Sequence, residues 1–173
     1  MADGAAGVAG SAARELAAEI LRLLTAAGQT VAAAESLTGG LVAAALTSVP
    51  GSSAAFRGGV VSYATDLKAA LLGVPSDLLD RYGAVHPEVA GAMAEGAARR
   101  LAATFGAATT GVAGPDPADG QPVGTVYIAV SGGPGTKPDV RSLALAGNRQ
   151  QIRAATAAQV LDLLLGVVRE HNI

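Results

Sequence analysis

Thr30-Val31-Ala32-Ala33-Ala34-Glu35-Ser36-Leu37-Thr38-Gly39-Gly40 is a short apolar run that breaks into polar residues and two glycines. A run of that length, bounded by turn residues, reads as a buried strand over 30–34. Residues 38–48 read as a helix, Pro50-Gly51-Ser52-Ser53 as a loop, and the Val- and Tyr-rich stretch 58–64 as a second strand. Two strands joined by a helical crossover of about twenty residues should pair in parallel through a right-handed connection. Both then end on the same edge of one sheet. Strands alternating with helices predict an α/β sandwich with parallel pairs.

Upstream, residues 1–10 read as a flexible arm. Ser11 can cap a helix that carries Leu16, Ile20, Leu23 and Leu24 on one face until Gly28 stops it. Downstream, a short helix carries Lys68, Leu71 and Leu72, and another covers 75–82. A long alanine-rich helix runs over 87–105, with Pro87 at its first position. Strands are expected at 107–112 and 124–131 and, as an alternating edge strand, at 139–146, the last two forming an antiparallel hairpin. Loops fall at 113–122 and 132–138, and Asn148 can cap a final helix bearing Ile152, Val160, Leu161 and Leu164. The expectation is one domain over 11–173, an α/β sandwich with a mixed, partly parallel sheet.

The composition fits. At 173 residues the chain is one domain long, and 50% of it is hydrophobic, although 40 residues are alanine and only 3% are aromatic. High hydrophobicity with 15% charged residues is the reverse of the disordered pattern. A net charge of −2 gives no basic field to attract nucleic acid or anionic membrane, so neither partner is expected. The absence of cysteine removes disulfides, thiolate nucleophiles and cysteine-ligated metal, and two histidines make a histidine-rich metal site improbable. No metal or other cofactor is expected. No run nears the roughly 18 apolar residues of a spanning helix, and residues 1–10 lack the pattern of a signal peptide. The expected location is cytoplasmic, and alanine-rich helical faces make a homo-oligomer the expected assembly.

Open α/β sheets take ligands outside the carboxyl ends of their strands. Three polar segments fall there: Glu35 to Gly40, Tyr63 to Lys68, and Thr109-Thr110-Gly111-Val112-Ala113-Gly114-Pro115. Ser36, at a strand-to-helix turn, reads either as a nucleophile beside helix-opening N–H groups or, with Thr38, as a simple cap. Ser52 and Ser53 are alternative nucleophiles. Lys68 is one of two lysines against ten arginines. A desolvated lysine can serve as a base where arginine cannot, and the competing reading is a solvated surface lysine. The segment 109–115 reads as a small-residue cradle or as an ordinary loop, and Arg149 and Arg153 as a phosphate site or a solvated face. His86 reads as the flank of a helix, and Asp116 and Asp119 as turn formers.

Taken together, Glu35-Ser36-Leu37-Thr38-Gly39-Gly40, Pro50-Gly51-Ser52-Ser53-Ala54, Gly59-Val60-Val61-Ser62-Tyr63, Lys68 and Leu71-Leu72-Gly73-Val74 resemble the CinA C-terminal domain family. Gly83-Ala84-Val85, Thr110-Gly111-Val112-Ala113-Gly114-Pro115 and Pro122-Val123-Gly124-Thr125-Val126-Tyr127 continue the likeness in the same order. It covers the chain from about residue 12 onward. Departures are Leu37 in place of a frequent cysteine, a shorter loop at 116–121 and Asn148 in place of aspartate.

The resemblance implies a compact three-layer α/β/α sandwich and a stand-alone, metal-free amidohydrolase that deamidates nicotinamide mononucleotide to nicotinic acid mononucleotide and ammonia, a step of pyridine-nucleotide salvage. It implies Ser36 as nucleophile, Lys68 as base and Tyr63 as an assisting group. Thr38, Gly39, Gly40, Thr110, Gly111, Gly114 and Arg149 would hold substrate or oxyanion. The alternatives are a non-catalytic nucleotide-binding or regulatory domain and a hydrolase of a different amide.

Overall fold

The computed structural model describes residues 3–132 and 135–171. Five strands form one sheet in the order β2-β1-β3-β4-β5. They are β1 (Val31–Glu35), β2 (Phe56–Val61), β3 (Phe105–Gly111), β4 (Thr125–Ser131) and β5 (Asp139–Ala144). β1 pairs in parallel with both β2 and β3, whereas β3–β4 and β4–β5 are antiparallel. The sheet is therefore mixed and partly parallel, with the expected hairpin at its end. Helices α1 (Asp3–Ala27), α2 (Leu41–Thr47) and α6 (Arg149–His171) cover one face, and α3 (Thr65–Leu72), α4 (Ser76–Tyr82) and α5 (Pro87–Arg100) the other.

Side-chain alternation along the central strands divides the core in two. Val31, Ala33, Phe105, Ala107, Val126 and Ile128 face α1 and α6, while Ala32, Ala34, Ala108 and Ala129 face α5. The α5 side is nearly all methyl groups, so this helix lies close to the sheet. Gly106 shows how close: a Cβ there would collide with the Ala94 carbonyl oxygen. α6 is long and apolar enough to cross a membrane by length and composition. Its Ile152, Val160, Leu161, Leu164 and Val168 are buried in the core beside α1, which accounts for that composition.

Several boundaries differ from expectation. α1 begins at Asp3 rather than Ser11, and Ser11 lies within it and donates to Glu15 (3.3 Å). An arm over 1–10 is thus replaced by helix from residue 3, and the remainder of that segment lies outside the described residues. α5 ends at Arg100 instead of 105, where Ala102 turns to φ 50°. Thr104 and Thr30 then exchange reciprocal backbone-to-hydroxyl bonds of 3.1 Å, which commits Phe105 to β3 opposite Val31. α2 starts at Leu41, not 38. Part of the expected loop 132–138 and the end of the expected domain, residues 172–173, lie outside the described residues. Asn148 does cap α6: its carboxamide oxygen accepts from Gln151 N (3.0 Å), and the Gln151 side chain accepts from Asn148 N (2.9 Å).

Because α5 and β3 meet at van der Waals distance, Gly106→Ala is expected to lower unfolding stability by about 3 kcal/mol, read by urea denaturation.

Candidate active site

The parallel strands β1 and β2 release the chain at one edge of the sheet, and β3 ends beside them. Ser36 follows β1 directly and donates its N–H to Thr109 O (3.1 Å), which extends the β1–β3 pairing by one residue. Ser62 follows β2 and donates to Glu35 O (2.9 Å) in the same way. These two bonds place the turn at 36–40 next to the segment 62–65 that opens α3. Lys68 sits one turn into α3 on its inward face, beside Leu72, and is fully buried.

The Lys68 amine meets three oxygens. Nζ lies 3.1 Å from Ser36 Oγ, 2.7 Å from Ser62 O and 3.4 Å from Tyr63 O. Among the described residues no carboxylate pairs with it. Burial disfavours the ammonium form and holds the amine at about 8, below the usual 10.5, against a partial opposing pull from Asp119 and Asp66. The arrangement is a serine hydroxyl in contact with an amine that is easily deprotonated.

Glu35, the last residue of β1, is buried, and its carboxylate accepts from Gly40 N (2.9 Å), Val42 N (3.1 Å) and Ala43 N (2.8 Å). It satisfies the opening turn of α2, where Gly40 (φ 103°) offers no side chain of its own. This corrects the reading of Ser36 or Thr38 as the cap. Gly39 N donates to Ser36 O (3.0 Å) and Leu41 N to Thr38 O (3.2 Å). The N–H groups of Gly39 and Gly40 are therefore occupied, and neither glycine lines the cleft, so a role for them in holding substrate or oxyanion does not fit this geometry. Within the turn, only the Leu37 and Thr38 amides have no protein acceptor among the described residues. The Thr38 side chain is buried and its hydroxyl bonds to Thr109 Oγ1 (2.8 Å), so it braces the turn against β3, and only the Thr38 amide is left for a substrate or oxyanion.

A cleft of about 430 Å³ opens over Ser36. Thr110, Gly111 and Gly114 form one wall, the loop through Asp119 another, and Tyr63 and Arg149 stand at the mouth. Arg149 donates to Gly114 O (2.7 Å) and to the Tyr63 hydroxyl (2.8 Å), tying two loops across the opening. Thr110 lines the wall while its hydroxyl donates to Ala84 O (2.7 Å). Asp119, expected only as a turn former, accepts from Ala84 N (2.7 Å) and so locks the 116–121 loop against Gly83-Ala84-Val85. Arg153 is neither a solvated face nor a free phosphate ligand, since it donates to Leu37 O (2.8 Å) and Thr38 O (3.0 Å).

The other candidates lie elsewhere. Ser52 and Ser53 form a short 3-10 turn ahead of β2, at the opposite edge of the sheet, and are not brought to the cleft. His86 caps α5, accepting from Glu88 N through Nδ1 (3.3 Å), and stacks on Tyr82 at 4.0 Å between ring centres. A separate cavity of about 530 Å³ near Ala103 and Ser131 also belongs to the opposite edge.

The fold and the site thus define a small α/β domain with a serine–lysine pair at the carboxyl edge of its sheet. The family model for the CinA C-terminal domain matches residues 13–168, and the chain belongs to that family. A CinA-like protein of Frankia casuarinae is 52% identical over 159 residues, which is 92% of this chain and 36% of that protein. One from Anaeromyxobacter is 48% identical over 158 residues, 91% and 38% of the two chains. The chain therefore spans a little over a third of the length of these curated relatives. Among solved structures, a competence/damage inducible protein, CihA, of Agrobacterium tumefaciens superposes with a TM-score of 0.86 at 38% identity, covering 90% of this chain and 95% of that one. A CinA superfamily protein of Escherichia coli gives a TM-score of 0.84 at 32% identity, covering 88% of each.

Two outcomes follow. Glu35→Ala strands three N–H groups and is expected to cost about 2 kcal/mol in denaturant melts. Lys68→Met is expected to stabilise the fold by on the order of 2 kcal/mol at neutral pH. Between about 8 and 10.5 the unfolded chain holds the Lys68 proton that the folded one has lost. Wild-type stability should therefore gain a rising contribution with pH across that window, which the methionine variant lacks.

Proposed function

We propose that this domain hydrolyses the carboxamide of nicotinamide mononucleotide, giving nicotinic acid mononucleotide and ammonia, with Ser36 as nucleophile and Lys68 as base. The observation that carries the reading is the 3.1 Å contact between Lys68 Nζ and Ser36 Oγ, made by a fully buried amine. In its neutral form the amine has two N–H bonds and one lone pair. The Ser62 and Tyr63 carbonyls take the N–H bonds, leaving the lone pair for the Ser36 hydroxyl.

Ser36 Oγ attacks the carboxamide carbon as its proton passes to Lys68, and the carbonyl electron pair moves onto oxygen. The unoccupied amides of Leu37 and Thr38 are the donors for that oxyanion. When the pair returns, the C–N bond breaks, and the leaving nitrogen takes the proton from Lys68 and departs as ammonia. Water then attacks the Ser36 ester with Lys68 again accepting a proton, and the acid is released as Ser36 regains its hydrogen. At the mouth, Arg149 can exchange Gly114 O and the Tyr63 hydroxyl for phosphate oxygens, and the exposed Tyr63 ring borders the path of the nucleotide. Membership of the CinA family supports the choice of substrate.

The test is ammonia release from nicotinamide mononucleotide by the purified chain, with chelator present. Ser36→Ala and Lys68→Ala, each still folded by circular dichroism, should lose about 10³-fold or more in kcat/KM. For the wild type, kcat/KM should climb with pH to a midpoint near 8, because only the neutral amine accepts the serine proton. Folded wild type without turnover would overturn the choice of substrate, and full activity in either variant would overturn the pair.

A further inference from the structure

We propose that Arg153 is a positioning residue for the oxyanion site: by holding the Leu37 and Thr38 carbonyls from behind, it turns the Thr38 N–H toward Ser36 and polarises it. The proposal rests on the reading of Ser36 as nucleophile, but not on the identity of the substrate.

Arg153 comes from α6, more than a hundred residues along the chain from the turn it touches. Nε donates to Leu37 O at 2.8 Å and Nη2 to Thr38 O at 3.0 Å, two adjacent peptide units gripped by one planar fork. Among the described residues no carboxylate pairs with this guanidinium, so the peptide carbonyls are its polar contacts. It lines a groove with Leu41 and Ala157, between α1, α2 and α6, and does not line the cleft over Ser36. Gly39 leaves it room: in the left-handed conformation (φ 57°), a Cβ would come within 3.1 Å of Nη2.

The Leu37–Thr38 peptide is trans, so its N–H points opposite to its C=O. A cation drawing the Leu37 carbonyl outward therefore directs the Thr38 N–H inward. A charge-assisted bond to the carbonyl also polarises the same amide and strengthens it as a donor. Every other amide from Ser36 to Ala43, Leu37 excepted, already has a protein acceptor. The donors left for an oxyanion are the two nearest the Arg153 grip.

A substrate-independent probe tests this. An alkyl fluorophosphonate should phosphonylate Ser36: the Oγ–P bond forms, fluoride leaves, and the serine proton passes to Lys68. Its rate, followed by intact mass, requires an oxyanion site but no nucleotide recognition. In Arg153→Met the labelling rate should fall about 10- to 100-fold. Arg153→Lys, which keeps the charge but not the fork, should fall between, and millimolar guanidinium should partly restore the methionine variant. The pH midpoint of labelling, set by Lys68, should not move.

Should Arg153→Met fail to fold in thermal melts, the lysine variant carries the comparison. With nicotinamide mononucleotide, the loss should appear in kcat while KM stays within about twofold. Unchanged labelling in both variants, a shifted pH midpoint, or wild type that is not labelled at Ser36 would overturn the proposal. Wild type labelled in an Arg153-dependent way but releasing no ammonia would uphold it and overturn only the choice of substrate.

Discussion

A lysine amine fully buried with no carboxylate in contact is an unfavourable arrangement, and the surrounding structure exists around that constraint. Lys68 is held because only three residues separate β2 from α3, which turns its fourth residue inward, where two main-chain carbonyls and one hydroxyl await it. Water would solvate an ammonium far better than these three oxygens do. The deficit is what keeps the amine ready to give up its proton near neutrality. The rest of the fold supplies the stability to tolerate it, through an alanine-packed centre and two long helices, α1 and α6, covering the opposite face.

Negative charge is kept at a distance from this amine. Glu35 is nearby in sequence to Ser36, yet its carboxylate turns away to the start of α2 and is satisfied by three amides. Asp119 is engaged with Ala84, near enough to act on Lys68 through space without bonding to it. Either carboxylate in direct contact would stabilise the ammonium form. The geometry keeps the buried carboxylate of Glu35 apart from the buried amine of Lys68.

Much of the architecture was legible in the sequence because it rests on local pattern. The apolar run at 31–34, the glycine stops and the Asn148 cap each carry their own signal, and strand–helix alternation dictates the layers. Helix ends were less legible where tertiary partners decide them. α5 yields at Arg100 because Thr104 finds Thr30, a residue far away in sequence. Turn position and the scarcity of lysine made Ser36 and Lys68 candidates, and the family resemblance selected them and added Tyr63. Glu35 and Arg153 could not, since a glutamate at a strand end and an arginine on a helix look like ordinary solvated charges. The clue available for Glu35 was Gly39-Gly40 itself: a helix opened by glycines has no side-chain cap of its own and must borrow one. Nothing in the 37–38 segment announces a need for a guanidinium, and only the folded chain brings Arg153 there.

The order in which the pieces occur along the chain has a consequence for biosynthesis. Ser36, Lys68 and the loop through Asp119 all emerge from the ribosome before the first residue of α6. The two arginines that tie the mouth and grip the turn emerge after them, on a helix whose apolar face also covers the core. A nascent chain therefore carries Ser36 and Lys68 before it has these two arginines. Closing the core and completing the rim of the cleft depend on the same helix.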